Sequence, residues 1–524
     1  MTIRKIKLLN FKRFDKLEMS FDKDLNILVG DNESGKSTIL QSIDIAIRGS
    51  RHLVEDIGIE RLLNKTTVEQ FMRLSSREME KLPIIRVELF LEETGDPSLN
   101  GKNNSDEILC DGIRMICEPD NEYGEAIAHI LSSDTPSFPF EYYKVSFSKF
   151  SGEAYNGHNR PMRSLFVDNS AIGSEFAMCQ YIKDVFKSTL SEEERTFARY
   201  EYHSSKINYR DSSLSKFNDR LSGYSFAVKD SSRDNLETDL TIEEEGIDIS
   251  NKGTGLQCFI KAELALKQTD ERLDVILLEE PETHLSHLNM NKMIKTIRES
   301  RNKQLFIATH SNLISTRLDL RKCTLMNSGT AKTVQLGSIP QDTAEFFIKA
   351  PDNNMLQFIL SNKSILVEGD AEFMLMDKFC QIVLGKDLYS AGIDVIAVDG
   401  ICFKRYLEIA KVLSIKTAVI TDNDKDYENN IKTAYLGYMN NEFPNIRVFA
   451  DADNERYTFE VCVNRDNKEY CHSLFKNHCR TKSIEDFMLT NKAESAFILA
   501  SDSNKDNVLV VPEYIKDALK WIEN

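Results

Sequence analysis

No stretch of this 524-residue chain approaches the ~20 consecutive apolar residues that a helix needs to cross a bilayer, which excludes a helical membrane protein. The opening residues, Met1 to Leu8, alternate like a strand and lack the continuous apolar core of a secretory leader, so a cytoplasmic protein is expected. Cysteine is thinly spread. Its ten copies form no C-x-x-C pair, which argues against a disulfide framework and fits thiols in a reducing compartment. Cys471, His472, His478 and Cys479 lie close together, but their spacing matches no common zinc finger or ribbon. Positive charge is also short: 66 Lys and Arg face 83 Asp and Glu, a formal net charge of −17. That balance argues against a protein that coats DNA with a generally basic surface, while leaving room for a local basic groove or for acids offset by divalent ions. A sustained heptad repeat is missing as well, which excludes a long coiled coil. What remains is ordinary globular composition, 41% apolar and 28% charged, at a length that implies two or three domains.

The most informative segment is Gly30-Asp31-Asn32-Glu33-Ser34-Gly35-Lys36-Ser37, a G-x-x-x-x-G-K-S sequence. The apolar strand Leu25 to Val29 precedes it, and an amphipathic helix begins at Thr38. The chemistry requires this order. Glycines let successive backbone N–H groups curl around a phosphate, and a helix N-terminus adds positive dipole. Lys36 reaches the β- and γ-phosphates and the Ser37 hydroxyl can ligate Mg²⁺, with Gly30, Asn32, Gly35 and Thr38 completing the cradle.

Later segments supply the rest of an ATPase. Val275 to Leu278 is a buried-type strand with Glu279-Glu280 at its exit, which resembles a Walker B element. Glu279 would hold Mg²⁺ through water, and Glu280 would polarise the attacking water. Glu279 stands where Asp is more usual. The strand Leu305 to Thr309 ends at His310-Ser311, where a histidine can contact the γ-phosphate or orient water. Ser250 to Gln257, with Gly253 and Gly255, resembles the ABC signature loop, and Ile6 to Phe14 looks like the first strand of SMC/RecF-type heads. In that superfamily the signature loop touches the γ-phosphate held by a second head, which implies a homo-oligomer, at least a dimer. Between the P-loop and the Walker B strand lie strand Ile84 to Leu91, a Gly/Asn-rich loop from Gly95 to Ser105, and helical stretches from about Ser174 to Arg220. The last read as an inserted arm that could serve dimerisation. Glu243-Glu244-Glu245 reads as a solvated turn.

A second α/β unit begins near Asn362. Strand Ser364 to Val367 exits at Glu368-Gly369, and a helix from Asp370 carries Glu372 on its first turn. Strand Ile393 to Val398 exits at Asp399-Gly400, a helix spans Phe403 to Leu413, and strand Thr417 to Thr421 exits at Asp422-Asn423-Asp424. Alternating strands and helices imply a parallel sheet, whose ligands bind at the carboxyl ends of its strands. Carboxylates brought together there repel, by about 4 kcal/mol for a pair at ~4 Å and an effective dielectric of ~20. Divalent cations relieve that cost, and oxygen-only ligands suit Mg²⁺ or Mn²⁺.

The ordered set Glu-Gly, Gly, Asp-x-Asp resembles the Toprim domain of topoisomerases, primases and certain nucleases. An ABC-type head followed directly by Toprim resembles the OLD family (overcoming lysogenization defect). The resemblance implies metal ligands at Glu368, Glu372, Asp422 and Asp424. It also implies a later acid and a lysine, for which Thr458-Phe459-Glu460 and the segment from Lys492 to Ala496 look like the matching stretches. Glu460 is then a candidate metal ligand and Lys492 a candidate transition-state stabiliser. The cations between Arg465 and Lys482, including Arg480, are either a phosphate-contacting face or an ordinary charged surface.

The expected fold is therefore α/β. An ABC/SMC-like P-loop ATPase occupies 1–345, with a helical insertion at about 170–230. A linker follows at 346–361, and a parallel-sheet Toprim domain at 362–524. The expected function is an ATP-regulated, Mg²⁺- or Mn²⁺-dependent DNA endonuclease. The resemblance adds an antiphage-defence role with a possible partner protein or nucleic acid. The alternatives are an ATP-switched nucleic-acid sensor or scaffold that does not cleave, and an RNA-processing Toprim nuclease. A topoisomerase would need a nucleophilic tyrosine in a separate strand-passage domain, for which the length leaves little room.

Overall fold

Alternation of apolar and polar residues makes Ile3–Phe11 and its neighbours half-buried strands, with Ile3, Ile6 and Leu8 facing inward. The computed structural model describes residues 1–133, 135–169, 175–218, 224–228, 236–267, 273–300, 303–327, 333–350, 354–398, 403–439, 442–479, 483–502 and 509–524. The chain divides into two units. The first comprises Met1–Ile314 and Lys322–Thr333, the second Ser315–Arg321 and Val334–Asn524.

In the first unit, Phe14–Ser20, Ile3–Phe11, Ile85–Leu91, Cys110–Pro119 and Tyr143–Lys149 pair in that order as an antiparallel sheet. A second sheet is parallel and runs Cys323–Met326, Leu25–Gly30, Gln304–Thr309, Val275–Glu279, Ser164–Asp168. Its central strands are almost continuously apolar, as sheets covered on both faces require. Helix Lys36–Arg48 lies between the two sheets and buries Ile39, Leu40, Ile43 and Ile47 in their shared core. The helix ends where Gly49 takes a left-handed conformation, φ 59°, and caps Ile45.

The insertion consists of helices Glu175–Thr189 and Glu192–Tyr209, a π-turn at Arg210–Leu214 and a short helix Ser215–Asn218. A capping box formed by Ser191 and Glu194 starts the second helix. None of its residues is buried, and Phe197 and Tyr200 are exposed. Glu243–Glu244 pairs with Ile247–Asp248 as a small hairpin, with Glu245 and Gly246 at positive φ in its turn.

In the second unit four strands run parallel in the order Asp394–Ala397, Lys363–Val367, Lys416–Ile420, Ile446–Phe449. The stretch 346–361 contains the end of helix Gln341–Lys349 and the helix Met355–Leu360, whose Met355 and Phe358 are fully buried. It therefore packs as part of this unit. The C-terminal helix Glu513–Glu523 closes the core with Ile515, Ala518, Leu519 and Ile522. Asp399, Gly400, Arg480 and Lys482 lie outside the described residues.

Candidate functional site

The P-loop leaves its strand at Gly30, where a Cβ would stand 2.2 Å from the Met326 carbonyl oxygen. At Gly35 φ is 99° and a Cβ would meet the Phe14 ring at 2.5 Å, so only glycine fits the turn into the helix. Lys36 Nζ donates to the carbonyl oxygens of Gly30 at 2.8 Å and Asp31 at 2.9 Å. Burial lowers the Lys36 pKa to about 8, against the pull of Glu280, Asp31, Glu282 and Glu279. A cleft of about 640 Å³ opens over the loop. Asn32, Gly35, Lys36, Ser37, Thr38, Glu280 and His310 line it. So do Lys12, Arg13, Arg61 and Lys65, four cations that sequence reasoning did not single out. Only the folding of the first antiparallel turn, of the short helix Ile59–Leu62 and of the start of helix Lys65–Met72 over the loop brings them there. Such a concentration of positive charge suits a polyphosphate.

Glu279 ends its strand level with Asp168 on the neighbouring strand. Its carboxyl pKa is raised, first by burial and then by Asp168 and Glu280, while a hydrogen bond from Ser37 lowers it. The two residues read as Mg²⁺ holders thus already touch. Glu280 follows at φ 43°, a left-handed conformation that costs roughly 1–3 kcal/mol in a non-glycine residue. Its Oε1 lies 3.3 Å from His310 Nε2. His310 is held in turn by Glu282, a residue missed in the sequence. Oε1 of Glu282 accepts from Thr309 Oγ1 at 2.6 Å and from the backbone N–H groups of His310 and Ser311 at 2.8 and 3.1 Å. Its Oε2 is shut off from solvent without a hydrogen bond, and burial raises its pKa. Gly253 and Gly255 are not among the residues lining the Lys36 cleft. Gly255 opens helix Thr254–Lys267 pressed against the next loop, where a Cβ would lie 2.1 Å from the His284 carbonyl oxygen.

The second unit gathers its acids at the carboxyl ends of adjacent strands. Glu368 Oε1 accepts from Thr421 Oγ1 at 2.5 Å and from the Asp422 N–H at 2.7 Å. Asp422 Oδ1 accepts from the Phe459 N–H at 2.8 Å, at the start of helix Phe459–Asp466. Burial, then Glu368, Glu372 and Glu460, push the Asp422 pKa up to about 9. Burial, followed by Glu460 and Glu368, pushes Glu372 up to about 7. Glu460 is buried, and neither of its carboxylate oxygens has a hydrogen-bond donor. Lys492 Nζ stands 3.2 Å from its Oε2 as an ion pair without hydrogen-bond geometry. Glu368, Gly369, Asp370, Ala371, Glu372, Lys492 and Ala493 line a cleft of about 420 Å³. Asp424 is exposed at φ 48°, with its N–H donating to the Tyr457 carbonyl; like the buried Asp422 and Glu460, it is not among the cleft-lining residues.

Four carboxylates converge here, and burial together with their neighbours forces two of them toward the protonated form, a donor chemistry that suits a hard divalent cation. Among the described residues, no group of three or more His, Cys, Asp or Glu side chains stands arranged to hold a metal ion. In the basic stretch that follows, Arg465 stands 3.9 Å from Glu485, while Asp466 is taken by Arg456.

Residues 1–212 match the AAA ATPase domain family, and residues 359–424 match the family described as overcoming lysogenization defect protein-like, TOPRIM domain. Among curated proteins, the DNA replication and repair protein RecF of Clostridium kluyveri is 49% identical over 43 residues, 8% of this chain and 12% of that protein. The matched stretch is thus a small part of that relative's length. Among solved structures, the SMC head domain from Thermotoga maritima aligns over 64% of this chain and 99% of its own, at 15% identity and a TM-score of 0.32. The C-terminal region of the Burkholderia pseudomallei OLD protein aligns over 31% and 97%, at 18% identity and a TM-score of 0.25. The fold is α/β, a unit that matches the AAA ATPase domain family followed by a parallel four-stranded sheet whose opening residues match the Toprim family. No helix among the described residues is long and apolar enough to cross a membrane.

Proposed function

We propose that this OLD-like protein, an AAA ATPase domain joined to an OLD-like Toprim domain, is an ATP-regulated, divalent-metal-dependent DNA endonuclease working as a homo-oligomer. The observation that carries the reading is the convergence of Glu368, Glu372, Asp422 and Glu460 beside Lys492 at the carboxyl edge of the Toprim sheet. Glu368 and Asp422, tied by a backbone hydrogen bond, would hold Mg²⁺ or Mn²⁺, with Glu372 and Glu460 completing the oxygen donors. When bound, such an ion activates water and stabilises the leaving oxygen of a phosphodiester. Lys492 places a positive charge where negative charge grows on the scissile phosphate.

In the head, Lys36 and the P-loop N–H groups bind the triphosphate, and Ser37 and Glu279 hold its Mg²⁺. Glu280, oriented by His310, accepts the proton of the attacking water. The turn carrying Gly253 and Gly255 would complete the nucleotide site of a second head, and the exposed aromatics of Glu192–Tyr209 offer surface for a constitutive contact. A defence role, with an activating partner, is the biological setting that the family likeness suggests.

The deciding experiment measures nicking of supercoiled plasmid by purified protein with Mg²⁺, Mn²⁺ or EDTA, with and without ATP. Paired DNA and RNA oligonucleotides run alongside. Metal-dependent DNA nicking that Asp422→Ala abolishes supports the reading. RNA cleavage alone, or no cleavage with nucleotide-dependent DNA binding, replaces it with one of the alternatives.

A further inference from the structure

Two helices meet at the acidic cleft, Asp370–Leu384 and Lys492–Ser501, and they pack closely against each other. Each contributes cleft-lining residues from its first turn, Asp370 and Ala493 among them. One helical turn farther along the same faces stand Phe373, three residues after Asp370, and Phe497, four residues after Ala493. Both should be core residues by chemistry, yet Phe373 is 48% exposed and Phe497 58%. Met374 beside Phe373 is 39% exposed. Their neighbours Leu375, Met376, Phe379 and Leu499 are fully or almost fully buried, so the helices had apolar positions to spare and still turn these rings outward. The two helices that open the cleft therefore carry, besides Lys492 and the acids assigned above, exposed aromatic rings on the faces that continue from its lining.

We propose that Phe373 and Phe497 form a stacking platform for unpaired nucleobases of DNA, and that the Toprim cleft therefore engages single-stranded or locally melted strands in preference to intact duplex. The inference rests on the nuclease reading of the cleft. In a duplex the base faces are stacked on one another and offer nothing to an aromatic ring. An unpaired base offers a π-face, and stacking on an aromatic side chain does not depend on which base it is. Lys492, at the start of the helix that carries Phe497 and itself lining the cleft, supplies positive charge for the phosphate beside the stacked base. The preference is thus for strandedness, with little sequence selection.

The test uses the full chain and fluorescent oligonucleotides of one sequence, single-stranded and as duplex. Binding is read by anisotropy in Ca²⁺ and cleavage in Mg²⁺ or Mn²⁺. Phe373→Ala and Phe497→Ala should each weaken single-strand binding roughly tenfold, with duplex binding changed by less than about twofold. Phe373→Tyr and Phe497→Tyr should retain binding. Phe373→Leu and Phe497→Leu keep apolar bulk and report whether the ring face matters. Equal losses on both substrates, unchanged single-strand binding, or full function in the leucine variants would overturn the platform. A shift in oligomeric state on removing either ring would also overturn it, by making the rim a contact between copies of the chain. If wild type binds single strands through these rings but cleaves nothing under any metal, the nuclease reading fails while the platform stands.

Discussion

Replacing Glu282 should disable ATP hydrolysis without touching the residues that hold ATP. Its Oε1 is the shared acceptor for Thr309 Oγ1 and for the N–H groups of His310 and Ser311. Each hydrogen bond to a charged acceptor is worth about 1.5–3 kcal/mol, and each buried donor left unpaired costs about 1–3 kcal/mol. The carboxylate is itself unfavourably buried, which cancels part of that sum. A net loosening of the His310 turn by about 1.4–2.8 kcal/mol is a reasonable bound. Read through to the Glu280–His310 pair, it corresponds to a kcat lowered roughly 10- to 100-fold in Glu282→Ala. Nucleotide Kd should stay within about twofold, because Glu282 is not among the residues lining the Lys36 cleft. Glu282→Gln keeps an oxygen acceptor without the charge and should recover most of the rate. The assay is steady-state phosphate release alongside a fluorescent-nucleotide titration, with a thermal melt to confirm folding. An unchanged kcat in Glu282→Ala would refute the positioning role. So would a parallel loss of affinity, or a glutamine variant no better than alanine.

The remaining expectations are independent of that one. Asp422→Ala should cut DNA cleavage by roughly 100-fold or more while ATP binding is preserved, measured by plasmid nicking and nucleotide titration on one preparation. Lys36→Ala should weaken ATP binding and remove any ATP response of cleavage, whereas Glu280→Gln should retain bound ATP and slow its hydrolysis, as read by rapid-filtration occupancy and phosphate release. Because Glu372 and Asp422 have raised pKa values, the stability they lend is complete below the ordinary carboxylate range. It is lost as pH climbs through about 7 and about 9, so melting in EDTA should fall over that interval and Mg²⁺ should restore it. The heads should associate, at least as a dimer, in light scattering across a concentration series. A micromolar monomer with and without ATP, whose hydrolysis rate per chain is constant, would contradict this.

Legibility in the sequence followed the range of the interactions. The P-loop is local: strand, glycine turn and helix are consecutive, so Gly30 to Ser37 could be read directly. Glu368 and Asp422 could be placed together because each follows an apolar strand and a parallel sheet brings such exits to one edge, whereas Glu372 and Glu460 stand on the first turns of helices and Asp424 lies exposed. Glu282 could not be read, since its partners Thr309, His310 and Ser311 sit on a different strand's exit and meet it only through strand register. Lys12, Arg13, Arg61 and Lys65 were hidden for a similar reason, as charged residues in a charged-rich chain that only the fold turns toward the phosphate cradle. The stretch 346–361 carried no Pro or Gly cluster other than Pro351, and its helices owe their place to burial of Met355 and Phe358.

The bare Cα of Gly255 against the His284 carbonyl makes one mechanical joint of the start of helix Thr254–Lys267 and the turn after the next strand. Helix Thr254–Lys267 begins at that joint, and the turn that starts at Glu280 runs into it. With no side chain between them there is no slack to absorb a displacement. A displacement of the turn around Gly253 is therefore expected to move the His284 backbone, four residues after Glu280, in the same stroke.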